Sequence, residues 1–316
     1  MDNKKTPPSG GWGVMDLGTN TFHLLIVEAD QSGIKEILHE QQAVKIGEGG
    51  INKGFIQPAA FERGIKAMQH FSELIVQNNV HKVRAIATSA LRSAANGQEF
   101  INEVKTKTGI AIEIIDGDAE ATFIYKGVKA DGCLSEQNSL IVDIGGGSVE
   151  FIICNTDEIL WKQSFEIGAA RLMDKFHRTD PIPPDSINAL NLYLEDCLKD
   201  LFVAAAKYPI ENMIGSSGVF ESYAEITELD KGNPFDIKKT KHYSFELNEL
   251  LALIERIVLS THQQRLEAKG IISVRIDMIV VASLLTRFII EKLGVSKVTM
   301  STNSLKEGVL AEMMTQ

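Results

Sequence analysis

The sequence predicts an α/β protein that contains two similar domains. The first observation behind this prediction is a motif that occurs twice: an apolar run, an Asp, a glycine-rich turn and a second apolar run. Asp16 and Asp143 occupy equivalent places in the two copies and lie 127 positions apart, roughly the length of one domain. The second observation is that strand-like and helix-like periods alternate after the first copy and recur after the second. Both observations indicate an internal duplication.

The length, composition and charge of the chain narrow the classes of protein to which it could belong. The chain has 316 residues, of which 44% are hydrophobic and 23% charged, as in ordinary globular proteins, and this length favours two domains. No apolar run reaches the about eighteen residues that span a bilayer, and residues 1–11, a flexible leader, lack the apolar core of a secretion signal. A cytoplasmic protein without a membrane partner is expected. The net charge of −10 argues against DNA or RNA as a partner, because such binding needs clustered Lys and Arg.

The first domain is predicted to span residues 1–129, with three strands followed by alternating helices and strands. Pro58 begins a stretch whose apolar residues recur at steps of three and four, as in an amphipathic helix. Gly109 is a favoured residue for ending a helix. After the first hairpin, the predicted elements are strand 33–46, helix 58–78, strand 82–88, helix 97–108, strand 110–115 and helix 118–127.

The second domain is predicted to span residues 130–316 and to begin with the same arrangement of three strands. Its last helix, about residues 305–316, is short and is expected to return to the first domain. The predicted elements are strands 140–144, 149–154 and 159–167, helix 185–205, strand 213–215, loop 230–242, helices 245–259 and 276–292, strand 297–300 and helix 305–314.

The two glycine-rich turns are candidate anion sites. Glycine has no Cβ, so the backbone at Gly18 and at residues 145–147 is able to approach a ligand closely with its N–H groups. The Asp at each strand end offers an oxygen to a hard cation such as Mg²⁺. One such turn alone is more often a plain hairpin. The pair favours two domains that close on one phosphate-bearing substrate.

Two further candidates follow predicted strands. Arg92 stands just after strand 82–88, where ligands of open α/β sheets collect, and its guanidinium matches phosphate oxygens. The alternative is an ordinary surface arginine. Glu120 lies in the first turn of helix 118–127, where an acid either complements the helix dipole or activates a water for attack on phosphorus.

Several motifs, in the same order along the chain, resemble those of the Ppx/GppA phosphatase family, which comprises exopolyphosphatases and guanosine pentaphosphate phosphohydrolases. The resemblance implies the short two-domain form: two duplicated ribonuclease H-like domains of the actin-like ATPase superfamily, with an interdomain cleft. The sequence differs from the family's usual pattern at Ala119, where the family usually has a second glutamate. The motifs are residues 16–21, 87–92, 117–127, 143–150, 275–277 and 304–310.

The resemblance also implies roles for particular residues. Glu120 is similar to the family's catalytic carboxylate. Asp143 and Glu150 resemble its metal-associated acids, and Asp16 stands at the equivalent place in the first copy of the motif. The expected cofactor is Mg²⁺, and a monovalent cation of unknown identity is left open. The expected phosphate-binding set is Gly18, Thr19, Asn20, Arg92, Gly145, Gly146, Gly147 and Ser148.

The expected function is removal of terminal phosphate from linear polyphosphate by a metal-assisted attack of water. Guanosine pentaphosphate (pppGpp) is the alternative substrate, and the sequence does not separate the two. Two further alternatives remain: a non-catalytic sensor of polyphosphate or an alarmone, motivated by Ala119, and an ATP-dependent phosphotransferase of the same superfamily. The sequence leaves a homodimer open.

Overall fold

The computed structural model describes residues 10–30, 33–216 and 218–315. The chain divides into two compact units: the first runs to Asp116 and takes in the C-terminal stretch from Lys306, and the second is Gly117–Leu305. The domain boundary predicted from the sequence lies at residue 129. The helix that begins at Gly117 groups with the second unit because it packs on two strands of the second sheet.

The first unit contains a five-stranded sheet in the order β3-β2-β1-β4-β5. Its first strand pairs with β2 in antiparallel fashion and with β4 in parallel. Its core includes the buried rings of Phe22, Phe71 and Phe100. The elements are β1 (Gly10–Leu17), β2 (Phe22–Asp30), β3 (Gly33–Gln42), α1 (Pro58–Gln77), β4 (Val80–Ala87), α2 (Ser89–Ser93), α3 (Gly97–Thr108) and β5 (Ile112–Ile114).

The second unit contains a six-stranded sheet in the order β10-β11-β9-β6-β7-β8. Every residue of its two central hairpin strands is buried, because helices cover both faces. The elements are α4 (Gly117–Asp131), β6 (Ser139–Ile144), β7 (Val149–Cys154), β8 (Ile159–Phe165), α5 (Ala169–Phe176), α6 (Pro184–Cys197), α7 (Lys199–Lys207), β9 (Asn212–Ser216), α8 (Gly218–Asp230), β10 (His242–Phe245), α9 (Leu247–Leu259), α10 (His262–Glu267), α11 (Met278–Leu293) and β11 (Val298–Ser301). The last helix of the described residues is α12 (Leu305–Thr315).

The two sheets share one topology. Read from the antiparallel edge, β8-β7-β6-β9-β11 repeats β3-β2-β1-β4-β5, and β10 extends the second sheet by one strand. In both units the first strand has an antiparallel neighbour on one side and a parallel neighbour on the other. The predicted α/β fold with two duplicated units is confirmed.

Individual elements differ from the predictions in several places. The helix predicted over 185–205 is two helices that meet at Leu198. Strand β1 begins at Gly10, so residues 10 and 11 are corrected from leader to strand, while residues 1–9 lie outside the described residues. Helices α2, α5, α8 and α10 and strand β10 are absent from the predictions.

The C-terminal helix α12 lies mostly in the first unit. Arg84 on β4 donates from Nη1 to Glu312 Oε1 of this helix at 2.9 Å and from Nε to Glu113 Oε2 at 3.1 Å. One arginine therefore ties the last helix to a strand edge of the first unit. Within the ranges described above, no helix is both long enough and apolar enough to cross a membrane.

Candidate active site

The second glycine-rich turn joins two buried acidic positions. Asp143 on β6 and Glu150 on β7 are directly opposite each other in the antiparallel ladder, so their side chains stand on the same face of the sheet. They are 8% and 1% exposed. The antiparallel pairing of β6 with β7 thus places the two carboxylates opposite each other, beside residues 145–148.

The backbone of this turn is fixed by the residues that begin α5. The N–H groups of Ala169 and Ala170 donate to the carbonyl oxygens of Gly145 and Gly146, each at 2.9 Å. Arg171 Nε donates to the carbonyl of Gly147 at 2.8 Å. Because these bonds set the orientation of the peptide planes, the loop is preorganised before any anion arrives.

The first glycine-rich turn is fixed in an analogous way. The N–H of Lys45 donates to the carbonyl of Asn20 at 2.8 Å, and the N–H of Gly47 donates to the carbonyl of Thr19 at 3.2 Å. Thr19 is buried, and Asp16, the last residue but one of β1, is half-buried. A segment later in the chain therefore braces the loop in both units.

Arg92 lies at the same sheet edge as the first turn. Strands β1 and β4 are parallel with Leu17 beside Ala87, so the residues that follow each strand emerge at one edge. Arg92 is the fourth residue of α2, and its Nη1 donates to the carbonyl of Ile115 at 3.0 Å. The structure thus places Asp16, Gly18, Thr19, Asn20 and Arg92 at one edge of the first sheet.

Glu120 lies in the first turn of α4 and is 7% exposed. Lys162 on β8 holds this turn: its Nζ donates to Asp118 Oδ2 at 2.8 Å and to Thr122 Oγ1 at 2.5 Å. The carboxylate of Asp118 is 72% exposed and pairs with Lys162. Asp118 therefore differs sharply from Glu120, since one carboxylate is solvated and the other is buried.

The three acids of the second unit influence one another. Burial raises the pKa of Glu150 well above its ordinary value, and the charges of Glu120 and Asp143 raise it further. Hydrogen bonds from Ser164 and Ser148 act in the opposite direction. Buried like charges are costly unless a proton or a cation compensates them, so this cluster is suited to hold a cation.

The donor set fits Mg²⁺. Within the residues that the structure describes, no group of three or more His, Cys, Asp or Glu side chains is arranged to hold a metal ion by itself. Mg²⁺ usually takes one or two protein carboxylates and fills its other positions with water and substrate phosphates. The facing pair Asp143 and Glu150 offers such a partial site.

Four residues that contact the acids or the elements around them were not predicted from the sequence. Ser164 Oγ donates to Glu150 Oε1 at 2.6 Å, and Ser216 Oγ donates to Asp143 Oδ2 at 3.0 Å. Lys162 and Arg171 are the others, and they brace α4 and the second turn. A signal existed for two of them: Lys162 and Ser164 are two apart on a strand and therefore share a face.

Comparison with known proteins identifies the class. The profile described as the Ppx/GppA phosphatase family matches residues 25–316. A putative exopolyphosphatase of Haemophilus influenzae is 26% identical over 94% of this chain and 89% of its own length. A guanosine-5'-triphosphate,3'-diphosphate pyrophosphatase of Vibrio cholerae is 26% identical over 96% of this chain, which spans 59% of that relative's length.

Solved structures agree with the sequence matches. An exopolyphosphatase from Cytophaga hutchinsonii is 40% identical, with a TM-score of 0.94 over 96% of this chain and 98% of that one. The Aquifex aeolicus Ppx/GppA enzyme, at 23% identity, shares the fold with a TM-score of 0.79 over 96% of this chain and 100% of that one.

The fold and these relatives define a phosphoanhydride hydrolase. The chain belongs to the Ppx/GppA phosphatase family, whose profile covers nearly its whole length. The family resemblance drawn from the sequence is therefore confirmed. The roles of the individual site residues remain predictions.

Proposed function

We propose that this protein is an exopolyphosphatase, which releases orthophosphate from the end of linear inorganic polyphosphate. The observation that carries the proposal is the cluster of three buried carboxylates, Glu120, Asp143 and Glu150, beside a glycine-rich turn with a fixed backbone. The 40% identity to an exopolyphosphatase of known structure supports polyphosphate as the substrate.

Glu120 is proposed as the general base. Its carboxylate is shielded from solvent, and the helical turn that carries it is held by Lys162. A carboxylate in such a site is able to orient a water, accept its proton and so direct the oxygen at the terminal phosphorus. The electron pair of the broken P–O bond passes to the bridging oxygen of the shortened chain.

Two acids of the second unit, Asp143 and Glu150, are proposed to hold Mg²⁺, and Asp16 is proposed as the metal-associated acid of the first unit. When bound, Mg²⁺ supplies charge neutralisation on phosphate oxygens. The protein itself supplies backbone amides, hydroxyl groups and one guanidinium for the phosphates. The residues proposed for phosphate contacts are Gly18, Thr19, Asn20, Arg92, Gly145, Gly146, Gly147 and Ser148.

The direct test is release of orthophosphate from polyphosphate with Mg²⁺ present. We expect Glu120→Gln to lower kcat by about 10²- to 10⁴-fold, because the amide accepts no proton from water. The matched control is Glu158→Gln, which changes an exposed glutamate of the same unit and leaves kcat unchanged. No release by the wild type, or full release by Glu120→Gln, contradicts the proposal. Polyphosphate binding without release by the wild type selects the sensor alternative.

Guanosine pentaphosphate is a second candidate substrate. The observation that favours it is the match to the Vibrio cholerae enzyme named for that reaction. Parallel measurements of kcat/KM on polyphosphate and on guanosine pentaphosphate decide between them. A higher kcat/KM on the nucleotide makes it the preferred substrate.

A further inference from the structure

Four polar residues form one row across the second sheet. The ladder pairs Ser216 of β9 with Asp143 of β6, Asp143 with Glu150 of β7, and Glu150 with Ser164 of β8. Residues that are paired across neighbouring strands project to the same face. Each acid therefore has the other acid on one side and a serine on the other.

Each serine donates to the acid beside it. Ser164 Oγ lies 2.6 Å from Glu150 Oε1, and Ser216 Oγ lies 3.0 Å from Asp143 Oδ2. Ser216 is fully buried, with the carbonyl of Asn303 as a second neighbour at 3.3 Å. One oxygen of each carboxylate is thus engaged by a hydroxyl, which restricts rotation of the carboxylate plane.

Ser164 is itself held in place by tight packing. A Cβ built on Gly117, the first residue of α4, would lie 2.3 Å from Ser164 Cβ and 2.8 Å from its Oγ. Only glycine fits there, so the helix that carries Glu120 rests directly on Ser164. Lys162, two residues earlier on the same strand, bonds the same helical turn. Strand β8 therefore locates both Glu150 and the helix of Glu120.

We propose that Ser164 and Ser216 are positioning residues for the divalent cation. Each fixes one oxygen of Glu150 or Asp143 so that the carboxylate presents a constant geometry to the cation. The inference rests on the proposed function in one respect, the assignment of these two acids as cation ligands. Outer hydrogen-bond partners of metal ligands commonly affect metal affinity by about 10- to 100-fold.

The test measures cation binding directly. Mn²⁺ replaces Mg²⁺ as a paramagnetic probe, and the free Mn²⁺ signal is recorded by electron paramagnetic resonance in the full-length protein without substrate. We expect Ser164→Ala to raise the Mn²⁺ dissociation constant, and the Mg²⁺ concentration for half-maximal phosphate release, by about 10- to 100-fold. The value of kcat at saturating Mg²⁺ changes less, because Glu120 is untouched.

Controls separate positioning from a loss of stability. Ser244→Ala removes an exposed serine from β10 and leaves both quantities unchanged. Ser216→Ala repeats the test on Asp143, so a folding defect in one variant does not end the experiment. Melting temperatures recorded without metal report stability alone.

The outcomes distinguish the two proposals. Wild-type affinity for Mn²⁺ in both serine variants overturns the positioning role, whatever the enzyme hydrolyses. Mn²⁺ binding that survives Asp143→Asn, or no binding by the wild type, also overturns it, because the cation is then not held by this row. If the wild type binds Mn²⁺, the serine variants weaken that binding and no polyphosphate is hydrolysed, the positioning role stands and the proposed function fails.

Discussion

At the scale of single residues, Glu150, the proposed ligand of Mg²⁺, lowers the stability of the folded protein at neutral pH. It is 1% exposed and faces two other buried carboxylates. Its raised pKa means that the folded protein binds a proton there more tightly than the unfolded chain does. The stability from this group is therefore complete below the unfolded pKa and is lost as the pH rises through the folded pKa.

This loss of stability with rising pH gives a prediction for Glu150→Gln. In EDTA at pH 8 the variant should melt a few degrees above the wild type, because folding raises the pKa of Glu150 above its unfolded value and this costs stability at high pH, whereas glutamine does not titrate. At pH 4 the difference should shrink, because the wild-type carboxyl is then protonated as well. Thermal melts followed by circular dichroism at both pH values measure the effect.

The same melting temperatures measured with added Mg²⁺ test whether Glu150 takes part in binding the cation. We expect it to raise the melting temperature of the wild type more than that of Glu150→Gln, since a ligand stabilises the state that binds it. A variant that melts below the wild type at pH 8 contradicts the prediction. It would show that the hydrogen bond from Ser164 outweighs the repulsion.

The sequence locates some of these residues better than others. Asp143 is predicted from its place at a strand end, directly before a glycine-rich turn, whereas Glu150 is predicted only from the family resemblance. Ser164 lies on the next strand, and its link to Glu150 depends on the register between β7 and β8. Register between strands arises from packing of the whole sheet, so a local pattern does not reveal it.

At the scale of elements, a buried arginine holds together the region around α10. Arg265 is 1% exposed and donates to the carbonyl of Ile276 at 2.6 Å, to the carbonyl of Ser260 at 2.6 Å and to Asp180 Oδ1 at 2.7 Å. One guanidinium therefore connects the residues before α6, the start of α10 and the residues before α11. A helix of six residues depends on such tertiary bonds, because isolated short helices are marginal.

We expect Arg265→Met to lower the free energy of unfolding by about 3 kcal/mol, because the carbonyls of Ser260 and Ile276 lose their donor and the carboxylate of Asp180 loses the charge it pairs with. Urea denaturation measures the change. The matched control is Arg256→Met, whose partner Asp230 forms an exposed pair with it, and the expected cost is under about 1 kcal/mol. Equal costs for the two variants would contradict the assignment of Arg265 as the centre of this region.

The elements found from the sequence are those with a strong local period. Helix α1 shows apolar residues at helical steps over 20 residues, and its limits agree closely with the prediction. Helix α8 was missed although it has 13 residues. It is buried on most sides, with Phe220, Tyr223 and Ala224 all inaccessible, so its apolar residues do not form one stripe.

At the scale of the whole molecule, the duplication extends to the way in which the two turns are braced. A Cβ on Gly47 would lie 2.6 Å from Thr19 Cγ2, and a Cβ on Gly168 would lie 2.4 Å from the carbonyl carbon of Gly146. In each unit a glycine from a later segment approaches the turn closely. The repeat was visible in the sequence at the Asp-x-Gly motifs, but these two glycines carry no motif of their own.

The difference between the two contacts gives a prediction. Gly168→Ala should impair phosphate release more than Gly47→Ala does, because the new Cβ at residue 168 meets backbone atoms of the turn, whereas the Cβ at residue 47 meets only side-chain atoms. Overpacking of this kind typically costs about 1–3 kcal/mol. Steady-state kinetics on polyphosphate, with melting temperatures recorded in parallel, tests the order of the two variants.

Gly109→Ala is the control, because a Cβ there would meet nothing within 4 Å. Residue 109 has a left-handed φ of 75°, so an alanine there lowers the free energy of unfolding by about 1–2 kcal/mol. Hydrolysis should be retained. Loss of hydrolysis in Gly109→Ala would mean that reduced stability alone explains the effect at Gly168.

The return of the last helix to the first unit has a consequence for dissecting the protein. Residues 117–305 are one uninterrupted stretch, whereas the first unit is assembled from two stretches that flank it. A fragment that stops at Asp116 lacks Glu312, whose carboxylate forms an ion pair with Arg84. Separate expression of the first unit therefore requires an artificial connection from Asp116 to Lys306, whereas the second unit is obtained by expressing residues 117–305 as they stand.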